Sequence, residues 1–469
     1  MRSDGKSSRA APFSTPCVGP PTAAAAAFIA GDSNACYARG NFCRTYANKN
    51  ATTACLLRPS PDLNPFGASR VLVSPLPMVS TAALVIPLLA LWLWWPVSSL
   101  NGTSRLARLL AVLITSLLGV APALLLKAVQ TNALPYAVVA RLQVPGGWIL
   151  AMLLMLALFV LLRDLLWLIA RLMGRTGLTQ LLHLPALTMA AVIATGCLSA
   201  IGVFNALQPP RVHEQQLAVR NLPAALHGLR IAVLADIHAS PVNDASYVQT
   251  IVQRTLATTP DLIVLPGDMV DGDVATSRPH VAPLAGLSAR YGVWAAPGNH
   301  EYYSGYNAWM TEFRRLGLNL LENRTQLLSI KGSKLALSGI GDPVFGRTSP
   351  NNANPEQAEG IPPDVDAVAA QARKAGAAFH ILLAHQPKFA RDNADKGVNL
   401  QISGHTHGGL ILGMDRWLVA PVNNGFVRGE YDIGNMKLLV SSGAGLWAGF
   451  AVRLGVAPRI ELLTLVAQQ

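Results

Sequence analysis

Hydrophobic positions change their pattern as the chain proceeds. Residues 78–209 hold four nearly unbroken apolar runs, at about 79–99, 107–126, 148–171 and 186–207. Each is close to the ~20 residues a helix needs to cross the hydrocarbon core of a bilayer. Trp92, Trp94 and Trp95 cluster near one end of the first run, as expected of an interfacial anchor. The third run is interrupted by Arg163 and Asp164, a pair expected to snorkel or to rest against another helix. The fourth is rich in Ala, Gly and Ser between Ala190 and Ala200, which suits close helix packing.

From Arg211 the pattern shortens. Apolar runs at 230–235 (RIAVLA), 261–266 (DLIVLP), 292–296 (GVWAA) and 379–384 (FHILLA) are each bounded by turn-forming or polar residues and read as buried strands. Helix-like stretches lie near 244–257, 304–316 and 363–375, the last opened by Asp364 and Asp366. This alternation predicts an α/β architecture with functional loops at strand ends. Segment 345–360 (FGRTSPNNANPEQAEG) predicts a long polar loop, a lid or substrate-facing insertion. Residues 1–77 follow neither pattern: Pro, Ser, Ala and Asn dominate, and Ala23 to Ala27 form a homopolymer. A low-complexity, disordered tail is expected there, and Met78 offers an alternative start of translation. The expected organisation is a tail at 1–77, a membrane region of about four helices at 78–209 and a folded domain at 210–469.

Charge follows the same partition. The 469-residue chain carries a net charge of +12. Residues 1–77 hold eight Lys/Arg against three Asp/Glu, residues 78–209 seven against one, and residues 210–469 twenty-two against twenty-one. The last domain is therefore close to neutral, and a basic groove for nucleic acid is not indicated. Positive charge at the helix flanks is nearly balanced between the two sides. Arg105, Arg108, Arg171 and Arg175 face Lys127, Arg141, Arg211 and Arg220 across the membrane, and only Arg58 and Arg70 in the tail lean toward a cytoplasmic domain. The expectation is a multi-pass protein of a bacterial inner membrane. Four of the five cysteines lie in the tail and Cys197 in an apolar run, so the last domain has no disulfide framework or CxxC zinc site.

The chemistry lies where the predicted strands end. In order come Asp236-Ile237-His238, Gly267-Asp268-Met269-Val270-Asp271, Gly298-Asn299-His300-Glu301, His385, and Gly404-His405-Thr406-His407-Gly408-Gly409. Carboxylate, amide oxygen and imidazole together suit Mn, Fe or Zn at an open site. A lone DxH or GNHE is a common turn; five such loops in one domain, all at strand ends, are not.

On these motifs (DIH at 236–238, GDMVD at 267–271, GNHE at 298–301, AHQP at 384–387 and GHTH at 404–407) the chain resembles the calcineurin-like metallophosphoesterase superfamily, over residues 211 to about 465. It is most similar to the membrane-associated bacterial branch, which the stretch 222–238 also resembles. Two positions depart from that branch: Leu410 stands where Gln is frequent, and Pro458-Arg459 where Pro-Glu is frequent. The resemblance implies a β-sandwich flanked by helices and two divalent metal ions. Asp236, His238 and His407 would hold the first ion; Asn299, His385 and His405 the second; and Asp268 would bridge them. His300 is implied as the general acid for the leaving group, with hydrogen-bonding support as its alternative role. Asp271 or Glu301 would orient an imidazole.

The expected activity is hydrolysis of a phosphomonoester, phosphodiester or pyrophosphate by metal-activated water. A membrane anchor makes a lipid-linked substrate such as UDP-diacylglucosamine attractive. The alternatives are a nucleotide phosphodiesterase or nuclease, which the domain's near-neutral charge disfavours, and a sensor or transporter whose last domain only binds a ligand.

Overall fold

The computed structural model describes residues 78–94, 104–130, 133–182, 184–346, 359–447 and 451–468. The expected tail at 1–77, the end of the first apolar run and most of the 345–360 loop lie outside the described residues.

The apolar runs form helices. These are α1 (Met78–Trp94), α2 (Arg105–Gln130), α3 (Tyr136–Leu172), the short α4 (Thr176–Leu182) and α5 (Pro185–Leu207). Among the described residues three helical segments are long and apolar enough to cross a membrane: Arg105–Leu125, Tyr136–Leu172 and Ala186–Leu207. The apolar part of α1, Leu84–Trp94, is shorter. Helix α3 begins twelve residues before the expected run at 148. Residues 136–147 are themselves mostly apolar, and they gain a packing partner that periodicity does not reveal, the folded domain. Arg141 is accordingly helical rather than part of a connection.

Arg163 and Asp164 tie the helices together. Arg163 is buried; its Nε and Nη2 donate to Asp164 Oδ1 at 3.0 and 2.8 Å, and its Nη1 donates to Thr188 Oγ1 of α5 at 2.9 Å. Trp92 Nε1 of α1 donates to Asp164 Oδ2 at 3.1 Å. A charge pair inside an apolar bundle is tolerable only when partners surround it in this way.

From Arg211 onward the described residues form twelve strands in two sheets. The first has the order β1 (Arg211–Val219), β12 (Arg459–Ala467), β2 (Arg230–Val233), β3 (Leu262–Pro266), β4 (Val293–Ala296), β5 (Asn319–Leu320). The second has the order β10 (Gly429–Ile433), β11 (Met436–Val440), β9 (Leu400–Ser403), β8 (Phe379–Leu383), β7 (Ser333–Gly339), β6 (Arg324–Ile330). Alternate side chains on each strand face opposite ways. Ile231, Val233, Leu262 and Val264 therefore meet Ile381, Leu383, Leu400 and Ile402 between the sheets. Ala232, Leu234, Ile263 and Leu265 pack outward on helices bearing Val248, Ile251, Trp309 and Phe313. Leu382, Leu438 and Val440 do the same on the far side against Val368 and Ala390. The result is a β-sandwich with helices on both outer faces.

The expected helices are present as Ala245–Ala257, Tyr306–Arg315 and Val365–Lys374. Asp244 caps the first by accepting from the Ser246 and Tyr247 amides, and Asp364 caps the last by accepting from the Ala367 amide.

Strand β8 carries His380, buried on its outer face with Nε2 2.7 Å from Ser338 Oγ. Burial, assisted by Arg373, pushes its imidazole down to about 4. The ring is neutral when folded and protonates near its ordinary value when unfolded. Acid therefore favours the unfolded chain as pH falls from about 6.5 toward 4. Urea denaturation across that window should cost the wild type on the order of 2 kcal/mol more than His380→Gln; equal losses in the two proteins would show that His380 titrates normally.

Candidate metal centre

Strands β2, β3 and β4 run parallel to one another, as do β7, β8, β9 and β11. Parallel neighbours end on the same edge, so their following loops gather there. Asp236 and His238 follow β2, Asp268 and Asp271 follow β3, and Asn299, His300 and Glu301 follow β4. His385 follows β8, and His405 and His407 follow β9. The backbone stitches these loops: Asp236 N donates to Gly267 O at 3.1 Å, His238 N to Asp268 O at 3.0 Å, and Gly404 N to His385 O at 3.0 Å.

The loops fold in conformations that their residues would not choose alone. Asp236, His238, Asp268, His405 and His407 have φ of 52°, 49°, 54°, 73° and 47°, all left-handed. Non-glycine residues held outside their preferred backbone regions cost of order 1–3 kcal/mol each and cluster at functional sites. Two glycines admit the carboxylates. A Cβ on Gly298 would lie 2.3 Å from Asp268 Oδ1, and one on Gly404 would lie 2.4 Å from Asp236 Oδ2. Only hydrogen fits in either place.

Two groups of donors result. Asp236, His238 and His407 each place one ligand atom within 4.8 Å of the others, and so do Asp268, His385 and His405. In the first group His238 Nε2 and His407 Nε2 are 3.1 Å apart. In the second, His385 Nε2 lies 3.0 Å from Asp268 Oδ2 and 3.1 Å from Asn299 Oδ1, while His405 Nδ1 lies 2.8 Å from Asn299 Oδ1. Asp268 Oδ2 is also 3.8 Å from His238 Nε2, so this carboxylate stands between the groups. His300 joins His238 and Asp268 in a third such set. All seven expected ligands are brought together.

A ring of partners orients these groups. Asp271 Oδ1 accepts from His238 Nδ1 at 2.9 Å and from His300 Nδ1 at 2.5 Å. His385 Nδ1 donates to Pro266 O at 2.9 Å, which turns Nε2 toward Asp268. Glu301 does not touch an imidazole. Its carboxylate accepts from the amides of Met269 (2.7 Å), Asp268 (3.0 Å) and Gly298 (2.7 Å), fastening the loop after β3 to the loop after β4.

Burial works against every charge here, and the neighbours decide which charges survive. It raises Asp268 and Asp271, yet His385 and His300 hold Asp268, and His238 and His300 hold Asp271, well below the usual carboxylate range. It opposes protonation of His300 and His385, yet Asp268 above all lifts them to about 9 and about 10. Burial and the nearby His385 push His405 down to about 3, and burial with His238 and Arg453 puts His407 well below its ordinary value. Metal ligation takes anionic carboxylates and neutral imidazoles, the form His405 and His407 already have; at His385 a bound cation would take the place of the ring proton that Asp268 now favours. Asp236 adds a direct test. Its Oδ2 is buried with no hydrogen-bond partner, and burial pushes its carboxyl up. A bare buried carboxylate oxygen is costly unless a cation or donor meets it. The donor set fits two divalent cations.

Three polar groups at the site escaped the sequence reading. Asp342 follows β7 and is buried beside Gln386, whose Nε2 donates to its Oδ1 at 2.7 Å; burial lifts its carboxyl to about 6. The strand before it is SKLALSG, too polar to read as an apolar run, although Gly341-Asp342-Pro343 repeats the strand-end pattern. Asn243 Nδ2 donates to Ile237 O, His238 O and Leu446 O, bracing the DIH turn. Arg453 is fully buried, with Nη2 3.1 Å from His407 Nδ1, and donates to Ser442 O at 2.8 Å and Gly445 O at 2.9 Å. No local pattern marks it.

Comparison with known proteins agrees with this geometry. The family model for calcineurin-like phosphoesterases matches residues 229–409, which hold all seven candidate ligands. A bovine transmembrane protein with metallophosphoesterase domain is 32% identical over 315 residues, covering 64% of this chain and 66% of that protein. A zebrafish protein of the same description is 30% identical over 60% of this chain and 63% of its own length. A metallophosphoesterase of Campylobacter jejuni is 30% identical over 64% of this chain and 76% of its own length. The chain thus spans a little under two thirds of the length of the two vertebrate relatives, and its relatives are not confined to bacteria. With donors, turn geometry and sequence likeness in agreement, the chain belongs to the calcineurin-like metallophosphoesterase family.

Proposed function

We propose that this protein is a membrane-anchored phosphohydrolase that uses two divalent metal ions to cleave a phosphomonoester, phosphodiester or pyrophosphate. The observation that carries the reading is the meeting of six candidate metal ligands around a seventh, Asp268, with Asp236 Oδ2 left without a protein partner. Divalent ions of the Mn, Fe or Zn kind, when bound, would neutralise phosphoryl oxygens and make water acidic enough to attack at neutral pH.

The protein's own residues do the rest. Asp236, His238 and His407 would hold one ion and Asn299, His385 and His405 the other, with Asp268 placed to serve both. Asn299 supplies a neutral oxygen, which leaves the ions more electrophilic than a further carboxylate would. Asp271 fixes His300 through Nδ1, leaving Nε2 free to give its proton to the leaving-group oxygen. By holding His238 on the same oxygen, Asp271 sets the acid and a metal ligand in one frame. Glu301 keeps the two ligand loops in register.

A phosphoester presented at the bilayer, including a lipid-linked one of the UDP-diacylglucosamine kind, is the substrate class we favour. Its support is the packing of the site's own loops on α3 and α5, where Leu410 and Ile411 join Leu150, Leu154 and Val203. A long nucleic acid fits poorly with a domain whose Lys/Arg and Asp/Glu nearly cancel.

Purified full-length protein should contain metal and hydrolyse members of a phosphoester panel, and a chelator should abolish this until metal is restored. Asp268→Asn should fall below about 1% of wild-type turnover with its circular dichroism unchanged; most activity retained in a folded, metal-loaded variant would remove Asp268 from the centre. His300→Ala should slow substrates with poor leaving groups by about a hundredfold or more, and nitrophenyl esters far less. Equal losses on both count against an acid role. Asp271→Asn should weaken metal retention by about ten- to a hundredfold through His238, measured by titration of the metal-stripped protein. Unchanged affinity would confine Asp271 to His300.

A further inference from the structure

Helix α3 is too long for a single crossing. Its 37 residues span about 55 Å at ~1.5 Å each, against ~30 Å of hydrocarbon. Its first turns lie along the folded domain instead. Tyr136 packs on Gly272, beside the Asp271 loop, and Val144 meets Leu446, Ala451 and Val242. At Gly147 the helix closes on Ala451, where an added Cβ would come within 2.7 Å of the backbone nitrogen. At Gly202 of α5 an added Cβ would come within 2.5 Å of Val452 Cγ1, and Gly202 O accepts from Arg453 N at 2.9 Å.

These contacts fix the depth of the domain. Trp148 of α3 donates to Ser199 of α5 at 2.8 Å, and Arg163 meets Thr188, so the two helices run antiparallel and in step. Counting ~20 residues of hydrocarbon from the start of α5 at Pro185 sets the near boundary at about residue 205, level with the turn of α3 before Trp148. Gly202 lies inside that boundary. So do Leu150, Leu154 and Met155, which gather with Leu410, Ile411 and Leu454 of the domain around Ala151 and Val452. Leu412 N donates to Leu454 O at 2.8 Å, so Leu412 shares this level, yet it is 64% exposed.

The chain that follows Leu412 is a short helical excursion, residues 415–422, with three further exposed apolar side chains. Trp417 is 80% exposed, Leu418 58% and Val422 71%. Arg416, also exposed, stands beside Trp417. The base of the excursion is tied to the metal-site loop. Asp415 accepts from the Gly413 and Arg416 amides and pairs with Arg428 at 2.6 Å, and Arg428 Nη1 donates to Gly408 O at 2.5 Å.

We propose that Leu412–Val422 is a membrane-dipping wedge, with Leu412, Trp417, Leu418 and Val422 seated at the boundary between acyl chains and headgroups in the leaflet around α3 and α5. The occupant of this apolar face is lipid because the face continues a surface already packed on the apolar helices at hydrocarbon depth. Tryptophan with a flanking arginine is the side-chain pairing that such a boundary favours. The wedge grows directly from the loop bearing His405 and His407, so it holds the mouth of the centre at the membrane surface. This inference rests on the membrane reading of the helices and not on catalysis.

The test uses full-length protein reconstituted in phosphatidylcholine–phosphatidylglycerol vesicles, with and without brominated acyl chains. The emission of Trp417 is the difference between wild type and Trp417→Phe. Bromination should lower that difference about twofold or more, while aqueous iodide leaves it nearly unchanged. Quenching by iodide without an effect of bromination would place Trp417 in water and overturn the wedge. Protection from both quenchers would also overturn it, since a second copy or another protein would then cover the face. Metal content measured on the same samples keeps the outcomes apart: a metal-free protein with lipid-quenched Trp417 refutes the proposed activity and leaves the wedge standing.

Discussion

Four carboxylates (Asp236, Asp268, Asp271 and Glu301) are buried together at one edge of a β-sandwich, and most of what surrounds them answers that burden. Backbone amides of His300 and His405 point at Asp268 Oδ1 and Asp236 Oδ1, each at 2.8 Å. Three amides converge on Glu301. Two imidazoles share Asp271. Turning an amide or ring toward a carboxylate at the end of a short strand requires a sharp bend, which accounts for left-handed backbone at five of the seven candidate ligands. The protein supplies donors to most of these acidic oxygens and leaves Asp236 Oδ2, like Asp342 Oδ2 beside the site, without one. A divalent cation would complete the arrangement at the least cost in further protein groups, because one ion can meet several oxygens and imidazole nitrogens at once.

The same edge is where the sandwich meets the helices. Segment 451–454 lies between them: Ala451 and Val452 pack on Gly147 and Gly202, while Arg453 turns inward to Ser442 O, Gly445 O and the ring of His407. Small residues in α3 and α5 let backbones approach closely, as in helix pairs within membranes. A fully buried arginine has little freedom once two carbonyls hold it, so the position of the helices is transmitted to the loop after β11 and to one candidate ligand. Anchor and centre are mechanically one unit.

The sandwich and the ligand loops were legible because their signals are local. A strand buried on both faces needs an unbroken apolar run, and a ligand at its end needs a turn, so RIAVLADIH and DLIVLPGDMVD announce both at once. Strands rich in polar residues did not announce themselves. Arg324–Ile330 and Ser333–Gly339 are half polar, and Asp342 behind them went unnoticed. Partnerships across the chain were also invisible. The sequence favoured neither Asp271 nor Glu301 as the group behind an imidazole, and only the fold shows that Asp271 meets two rings while Glu301 meets backbone. Arg453 has no motif; its meaning comes from carbonyls that only folding brings to it.

Helix α3 shows why length alone misleads at such a junction. An apolar run of 24 residues at 148–171 satisfies the bilayer, and nothing in hydropathy requires more. The added turns at 136–147 are apolar for another reason: they pack on protein, with Tyr136, Val144 and Gly147 against the domain and Gly146 against Pro122 of α2. Burial in protein and burial in lipid favour the same side chains, so one continuous apolar helix serves two solvents. The transition between them is marked by Gly147, where the helix closes on Ala451 of the domain, followed at once by Trp148, which donates to Ser199 of α5. Almost all of the chain's net positive charge lies outside the folded domain, which is left nearly neutral.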